Sequence, residues 1–322
     1  MRRFQNKVSE STVTLPFVAV TGIIVTIVAG MSAGCNYWLC AASLAISTIL
    51  MMEMNNRNML LRVRSRMVSC SYVVLTLMTA TVSVDMNAAL IQLCFSTLIF
   101  LLTISCQQKD SVGRAFYAIL LISTASFIWS KVLFLIPVVI LLMIRPLYCL
   151  SFRAVSAMVM AVLLPYIIDA VRVLYADNFV FVDKHYINEL NGVMQVLDPS
   201  GFLDYSQVSP VHIATVVFLI IIAMFGTLHF MKNSFMDKIR VRMIYWTLVI
   251  VTLFLSTAII LFPVYYSYLA PMLCVPVAAI SAHFFTHTSS RFTNWVFFIF
   301  LVLVILLTIA NHLIVLDLWP IH

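Results

Sequence analysis

The chain reads as a succession of long apolar runs separated by short polar turns. The runs fall at about 16–34, 36–54, 67–84, 88–106, 115–129, 132–144, 154–172, 211–230, 243–262, 264–285 and 294–313. Within each run the apolar residues are continuous. That excludes membrane β-strands, which switch between apolar and polar residues over about ten positions. A bilayer core of about 30 Å needs roughly 20 apolar residues per helix. The pattern therefore predicts an all-α polytopic membrane protein of about eleven helices. The runs 115–129 and 132–144 hold only 15 and 13 residues. At about 1.5 Å per residue neither spans 30 Å, so they read as two short crossings or as a hairpin that enters and leaves by one face. With no repeat, linker or soluble domain visible, 1–322 reads as a single transmembrane domain. The segment 173–210 forms its longest polar loop, with room for an interfacial amphipathic helix over 187–197.

Composition agrees with this reading. Hydrophobic residues make up 63% of the 322 and charged residues 10%, against about 45–50% and about 25% in soluble domains. No soluble fold of this size hides so much apolar surface. Seven cysteines stand without a Cys-x-x-Cys pair and read as small buried hydrophobes. The first run, following Arg2 and Arg3, reads as a retained signal-anchor helix.

Charge gives the orientation. With the N-terminus inside, 16 of the 19 Lys and Arg lie on cytoplasmic segments, at 2–7, 57–66, 109–114, 145–153, 232–242 and 291. Only Lys131, Arg172 and Lys184 fall outside. Four acids lie inside and eight outside. Lys and Arg are retained in the cytoplasm, so the N-terminus is expected inside and the C-terminus outside, in a cell inner membrane. A net charge of +7 distributed in this way implies a lipid partner and not nucleic acid.

Several residues are candidates for chemistry. Lys131 lies at the junction of the two short runs. A charge within the membrane is costly unless it meets water or a partner, but a lysine can also snorkel to the interface beside Trp129. Asp85, in an outer turn, suits either a catalytic carboxylate or a helix N-cap. Asp169 and Arg172 are spaced i, i+3, which fits an interfacial ion pair or a charged floor where Arg172 holds a phosphate. Lys184 and His185 offer a cation and a group titrating near neutrality. His212 is a weaker outer candidate. His229, His283 and His287 lie at cytoplasmic helix ends and are expected to cap carbonyls or face water. Pro263, Pro271 and Pro276 predict a kinked tenth helix that lines a cavity. No phosphate-binding glycine loop, nucleophile elbow or metal motif is present.

The stretch from Asp85 to about Phe181 resembles the middle of the GT-C superfamily of integral-membrane glycosyltransferases. The likeness rests on an outer turn with Asp85, the helix 88–106 and the basic turn of Lys109 and Arg114. It continues with the helix ending at Trp129-Ser130-Lys131, the run with Pro137, the basic turn of Arg145 and Arg153, and Leu164-Pro165-Tyr166 before Arg172. The stretch also resembles uncharacterised multi-pass proteins of Bacteroidetes. The first resemblance implies transfer or polymerisation of polyprenyl-phosphate-linked sugars at the outer face. Asp85 would then be the base and Lys131 and Arg172 the phosphate partners, and a divalent metal is compatible with the scheme. The chain departs from the superfamily in its first outer loop, around Cys35-Asn36-Tyr37, which lacks the large acidic loop of that superfamily. Two other classes remain open on the residues alone. One is a non-catalytic scaffold with a protein partner in an envelope complex, and the other is a transporter.

Overall fold

The computed structural model describes residues 5, 8–9, 11, 13–63, 65–108, 111–175, 202–206, 208–288 and 291–315. Among these residues are twelve α-helices and no strand. They are α1 Thr14–Ser32, α2 Tyr37–Asn58, α3 Met67–Thr79, α4 Thr81–Val84, α5 Met86–Ile104 and α6 Val112–Ala125. After a 3-10 turn Ser130–Phe134 follow α7 Leu135–Ile144, α8 Phe152–Tyr175, α9 Pro210–Asn233, α10 Ile239–Leu261, α11 Tyr266–His287 and α12 Arg291–Val315. Eight of the described helices are long and apolar enough to cross a membrane, and three apolar helices are shorter: Met67–Thr79, Val112–Ala125 and Ser130–Ile144. Each predicted run thus has its helix. The protein is an all-α, multi-pass membrane protein.

The chain divides into two compact units, Met1–Ser96 with Leu203–His322, and Thr97–Phe202. In the first unit α11 is central, packed by α3, α9 and α10. Of its membrane-length window 89% is buried, against 22–28% for α1, α9 and α12. The stretch Ala270–Ala282, rich in small residues, is what permits that close packing. At Gly226 of α9 an added Cβ would lie 2.5 Å from Ile280 Cγ2 and 3.1 Å from Ile280 O, so only glycine admits the contact. The prolines at 271 and 276 lie inside a continuous helix. The helix expected to be kinked and to line a cavity is the buried centre of its unit, and its first residue, Tyr266, borders a small cavity of about 130 Å³. Side-chain amides tie the neighbours together. Gln92 donates to Thr76 Oγ1 (3.0 Å) and Pro271 O (3.3 Å), and Asn311 donates to Met78 O and Thr215 Oγ1, both at 2.8 Å. Such bonds hold membrane helices where apolar contact alone gives no advantage over lipid.

One end of this unit gathers the basic turns. Ser65 Oγ donates to Ser9 O (2.5 Å), Arg62 pairs with Asp237, Arg240 donates to Asn58 Oδ1 (3.2 Å), and Gln5 Nε2 donates to Phe285 O (2.5 Å). Elsewhere in the unit Leu203 N donates to Leu261 O and Tyr205 OH to Ile260 O. The N-terminal segment and the turns 57–66 and 233–240 therefore share one end, as the alternation of charge requires.

In the second unit the amide of Gln107 donates to Leu147 O at 2.9 Å. The residue before α6 thus meets the residue after α7, and the segment returns to where it began. A single long helix is excluded, and the short runs form a hairpin. Its first arm packs on α8. Ser123 Oγ donates to Val162 O (2.9 Å), Ser126 Oγ meets Tyr166 OH (2.6 Å), and Phe127 packs on the Tyr166 ring. The 24-residue α8 is about 36 Å long, and Tyr166 lies about 13 Å before its end at Tyr175. The hairpin tip therefore stops well short of that end. The expected helix over 187–197 lies outside the described residues.

Filling the Gly226 contact tests this packing. Gly226→Val is expected to destabilise the protein by about 1–3 kcal/mol, the usual effect of overpacking, read as a lower thermal midpoint in detergent. Gly113→Val, where an added Cβ meets nothing within 4 Å, is expected to leave the midpoint unchanged.

Candidate functional site

The second unit contains a groove of about 910 Å³. Its walls come from Thr97 and Leu101 of α5, from Tyr117, Leu120, Leu121 and Thr124 of α6 with Phe127 beyond it, and from Leu164, Pro165, Ile168 and Asp169 of α8. Helical spacing explains this set. Residues 117, 120, 121 and 124 lie on one face of α6, and 164, 165, 168 and 169 on one face of α8. The walls are almost wholly apolar. Thr124 turns its hydroxyl onto Leu120 O, and Asp169 is the charged residue among the lining. Ile168 and Tyr117 are well exposed, so the groove is open to the outside of its unit.

Lys131, half-buried, sits in the 3-10 turn that follows the hairpin tip. Arg172 follows Asp169 by one turn of α8, placed there by the helix backbone. The second unit therefore carries three of the residues expected from sequence. Asp85 belongs to the first unit. It adopts an extended backbone (φ −115°, ψ 114°) between α4 and α5. Its Oδ1 accepts from Asn87 N at 2.8 Å, and its carbonyl accepts from Ala89 N at 3.1 Å. These are the bonds of a helix N-cap. Lys184 and His185 lie outside the described residues. Asp204, in the short loop before α9, accepts from Ser206 N and Oγ, and these bonds hold its carboxyl below the usual range. His212 stacks on Tyr266 with ring centroids 4.2 Å apart, bordering the small cavity.

A second constellation lies at the basic end of the first unit. Asp237, its side chain 1% exposed, accepts from Arg62 Nε at 2.7 Å through Oδ1. Arg62 also donates through Nη2 to Asn233 O at 3.3 Å. The Asp237 Oδ2 lies 3.4 Å from Nε2 of His283, whose side chain is likewise 1% exposed. Around His283 pack His287 (centroids 4.5 Å apart), Tyr245 (4.7 Å) and His229 (5.7 Å). His229 is held by Asn233 Nδ2 at 2.8 Å. Sequence reasoning placed these histidines as caps or in water. His283 is neither, because α11 is buried to its last turn by α9 and α10. The signal was present in the i, i+4 pair His283 and His287, and the missing information was which helix would be central.

Among the described residues no group of three His, Cys, Asp or Glu is arranged to hold a metal ion. Compared with protein-family models, curated proteins and solved structures, the chain matches none. The fold defines a multi-pass membrane protein with an apolar groove in the second unit and a buried histidine–carboxylate cluster in the first.

The cap at Asp85 is open to test. Asp85→Ala is expected to destabilise the protein by about 0.5–2 kcal/mol, whereas Asp85→Asn, also a good cap, is expected to stay near the wild-type midpoint. Thermal unfolding in detergent reads both.

Proposed function

We propose that the protein takes a lipid-linked substrate into the groove of the second unit and transfers or polymerises its sugar at the outer face of an inner membrane. The observation that carries this reading is an apolar groove of about 910 Å³ between apolar helices, with the carboxylate of Asp169 in its lining. In a bilayer apolar walls give a polyprenyl chain no gain over surrounding lipid. Selection must come from shape and from the polar groups near the headgroup. Asp169, Arg172 and Lys131 are the candidates for that role.

In this reading Asp169 removes the proton from an acceptor hydroxyl, and the oxygen attacks the anomeric carbon. The bond from that carbon to the phosphate oxygen breaks, and the lipid phosphate leaves with its negative charge. Lys131 and Arg172 meet that charge, Arg172 through its planar fork. No step is assigned to a metal. The base role that the resemblance gives to Asp85 passes to Asp169, since Asp85 already engages one oxygen in its cap. The depth of the hairpin tip favours a working role for Lys131, because a lysine this far from the end of α8 has a long way to snorkel.

The test is transfer of label from a polyprenyl-phosphate sugar in membranes carrying the chain, beside the surface glycan of the cells. Asp169→Asn is expected to lower transfer at least about 100-fold, the lower range of general-base catalysis. Leu121→Trp, which fills the groove, is expected to block it. Normal insertion with undiminished transfer in both variants would overturn the reading and leave a scaffold.

A further inference from the structure

We propose that Cys35 and Cys40 are an oxidisable pair, which thiol–disulfide exchange closes into a bond tying the α1–α2 loop to the first turn of α2. This inference is independent of the groove in the second unit and survives if no sugar is transferred.

Read from sequence, the seven cysteines are small buried hydrophobes. In the structure two of them meet, with Cys35 Sγ 3.7 Å from Cys40 Sγ. The loop between α1 and α2 brings them together. Gly34 adopts the left-handed region (φ 68°), Cys35 N donates to Gly30 O at 3.0 Å, and Cys40 N donates to Asn36 O at 3.3 Å. At Gly30 an added Cβ would lie 2.7 Å from Tyr37 Cβ, so the chain returns on itself tightly. A disulfide holds its sulfurs about 2.05 Å apart. Closing the pair therefore needs a shift of about 1.7 Å from the observed separation, which rotation of the Cys35 side chain in its loop supplies.

The two thiols differ in access. Cys40 is buried with Val82 and Ala89, beside the turn that holds Asp85, whereas Cys35 is half-buried. Cys35 can therefore meet an oxidant, and Cys40 needs to meet only Cys35. Among the described residues no third His, Cys, Asp or Glu joins them to hold a metal ion. The position suits oxidation. Cys40 lies about 27 Å along α2 from Asn58, and Asn58 belongs to the basic end, where it accepts from Arg240. Basic turns stay in the cytoplasm, so the pair faces the outward compartment, where disulfides form and persist.

The oxidant is a small-molecule disulfide, RS–SR. Cys35, as its thiolate, attacks one sulfur, the RS–SR bond breaks, and one RS⁻ leaves and takes a proton from water. Cys40 then gives up its proton, and its sulfur attacks Cys35 Sγ. The mixed disulfide breaks and the second RS⁻ leaves. Two thiols are oxidised to one disulfide, and one disulfide is reduced to two thiols. The second step is the slower, because Cys40 is buried, but it is intramolecular between sulfurs already in contact.

The experiment is peptide mass spectrometry without reductant on the full chain in phosphatidylcholine–phosphatidylglycerol nanodiscs. The chain is reduced, incubated with oxidised glutathione at about pH 8.5, where an ordinary thiol is half ionised, then unfolded and alkylated. The wild type is expected to lose two of its seven alkylatable thiols, both in the peptide spanning 35–40, and to keep no glutathione there. Cys40→Ser is expected to stop with one glutathione on Cys35, and Cys40→Ala serves if the serine variant does not fold. Cys35→Ser is expected to leave Cys40 fully alkylatable. A wild type in which both cysteines remain alkylatable, or in which Cys35 retains glutathione as it does in Cys40→Ser, would overturn the proposal.

Discussion

The structure depends on the cost of leaving charge or unpaired backbone in hydrocarbon. Backbone groups meet that constraint by forming helices, which satisfy their own N–H and C=O groups within one segment. Most lysines and arginines meet it by standing in turns or near helix ends. In the first unit the constraint has a visible product. The basic turns are gathered at one end and bonded to each other through Ser65 to Ser9, Arg62 to Asp237 and Arg240 to Asn58. In the second, the hairpin closes through Gln107 and Leu147, beside the basic residues Arg114 and Arg145. Arg114 itself donates to the last carbonyl of α5, Ile104 O, at 3.0 Å.

The same constraint decides what polar side chains inside the units do. Gln92 and Asn311 each donate twice across helices. Serines and threonines mostly turn back onto carbonyls three or four residues earlier, as Thr26, Thr252 and Ser281 do. The Asp237–His283 cluster differs in kind, because it gathers three histidines around one buried carboxylate. In the second unit Asp169 is a carboxylate among the apolar walls of the groove. Each places a carboxylate among apolar or ring neighbours, and local departures of that kind are concentrated at functional sites.

The positions of the helices were legible in the sequence because continuous apolar runs and basic turns are one-dimensional signals. The break of the third run was not, since Ala80 gives no warning of its left-handed backbone (φ 57°). Nor was the burial of α11, because its prolines suggested a kinked helix at a cavity, whereas its small residues let α3, α9 and α10 close around it. Apolar runs look alike whether they face lipid or protein, so the histidines at its end could not be ranked. At Asp85 the sequence allowed a cap or a catalyst, and the hydrogen bond from Asn87 identifies the cap. The groove needed three helices brought together, and no spacing along one run reveals that.

The claim on which the rest leans is that the short helices α6 and α7 turn back, so that both flanks of the hairpin share a face. Single cysteines at Gly113 and Tyr148, in a chain with the seven native cysteines removed, test it with a membrane-impermeant thiol reagent. The account predicts that both positions are labelled from the cytoplasmic side, and that a cysteine at Leu203 is labelled from the opposite side. Labelling of Gly113 and Tyr148 from opposite sides would contradict it.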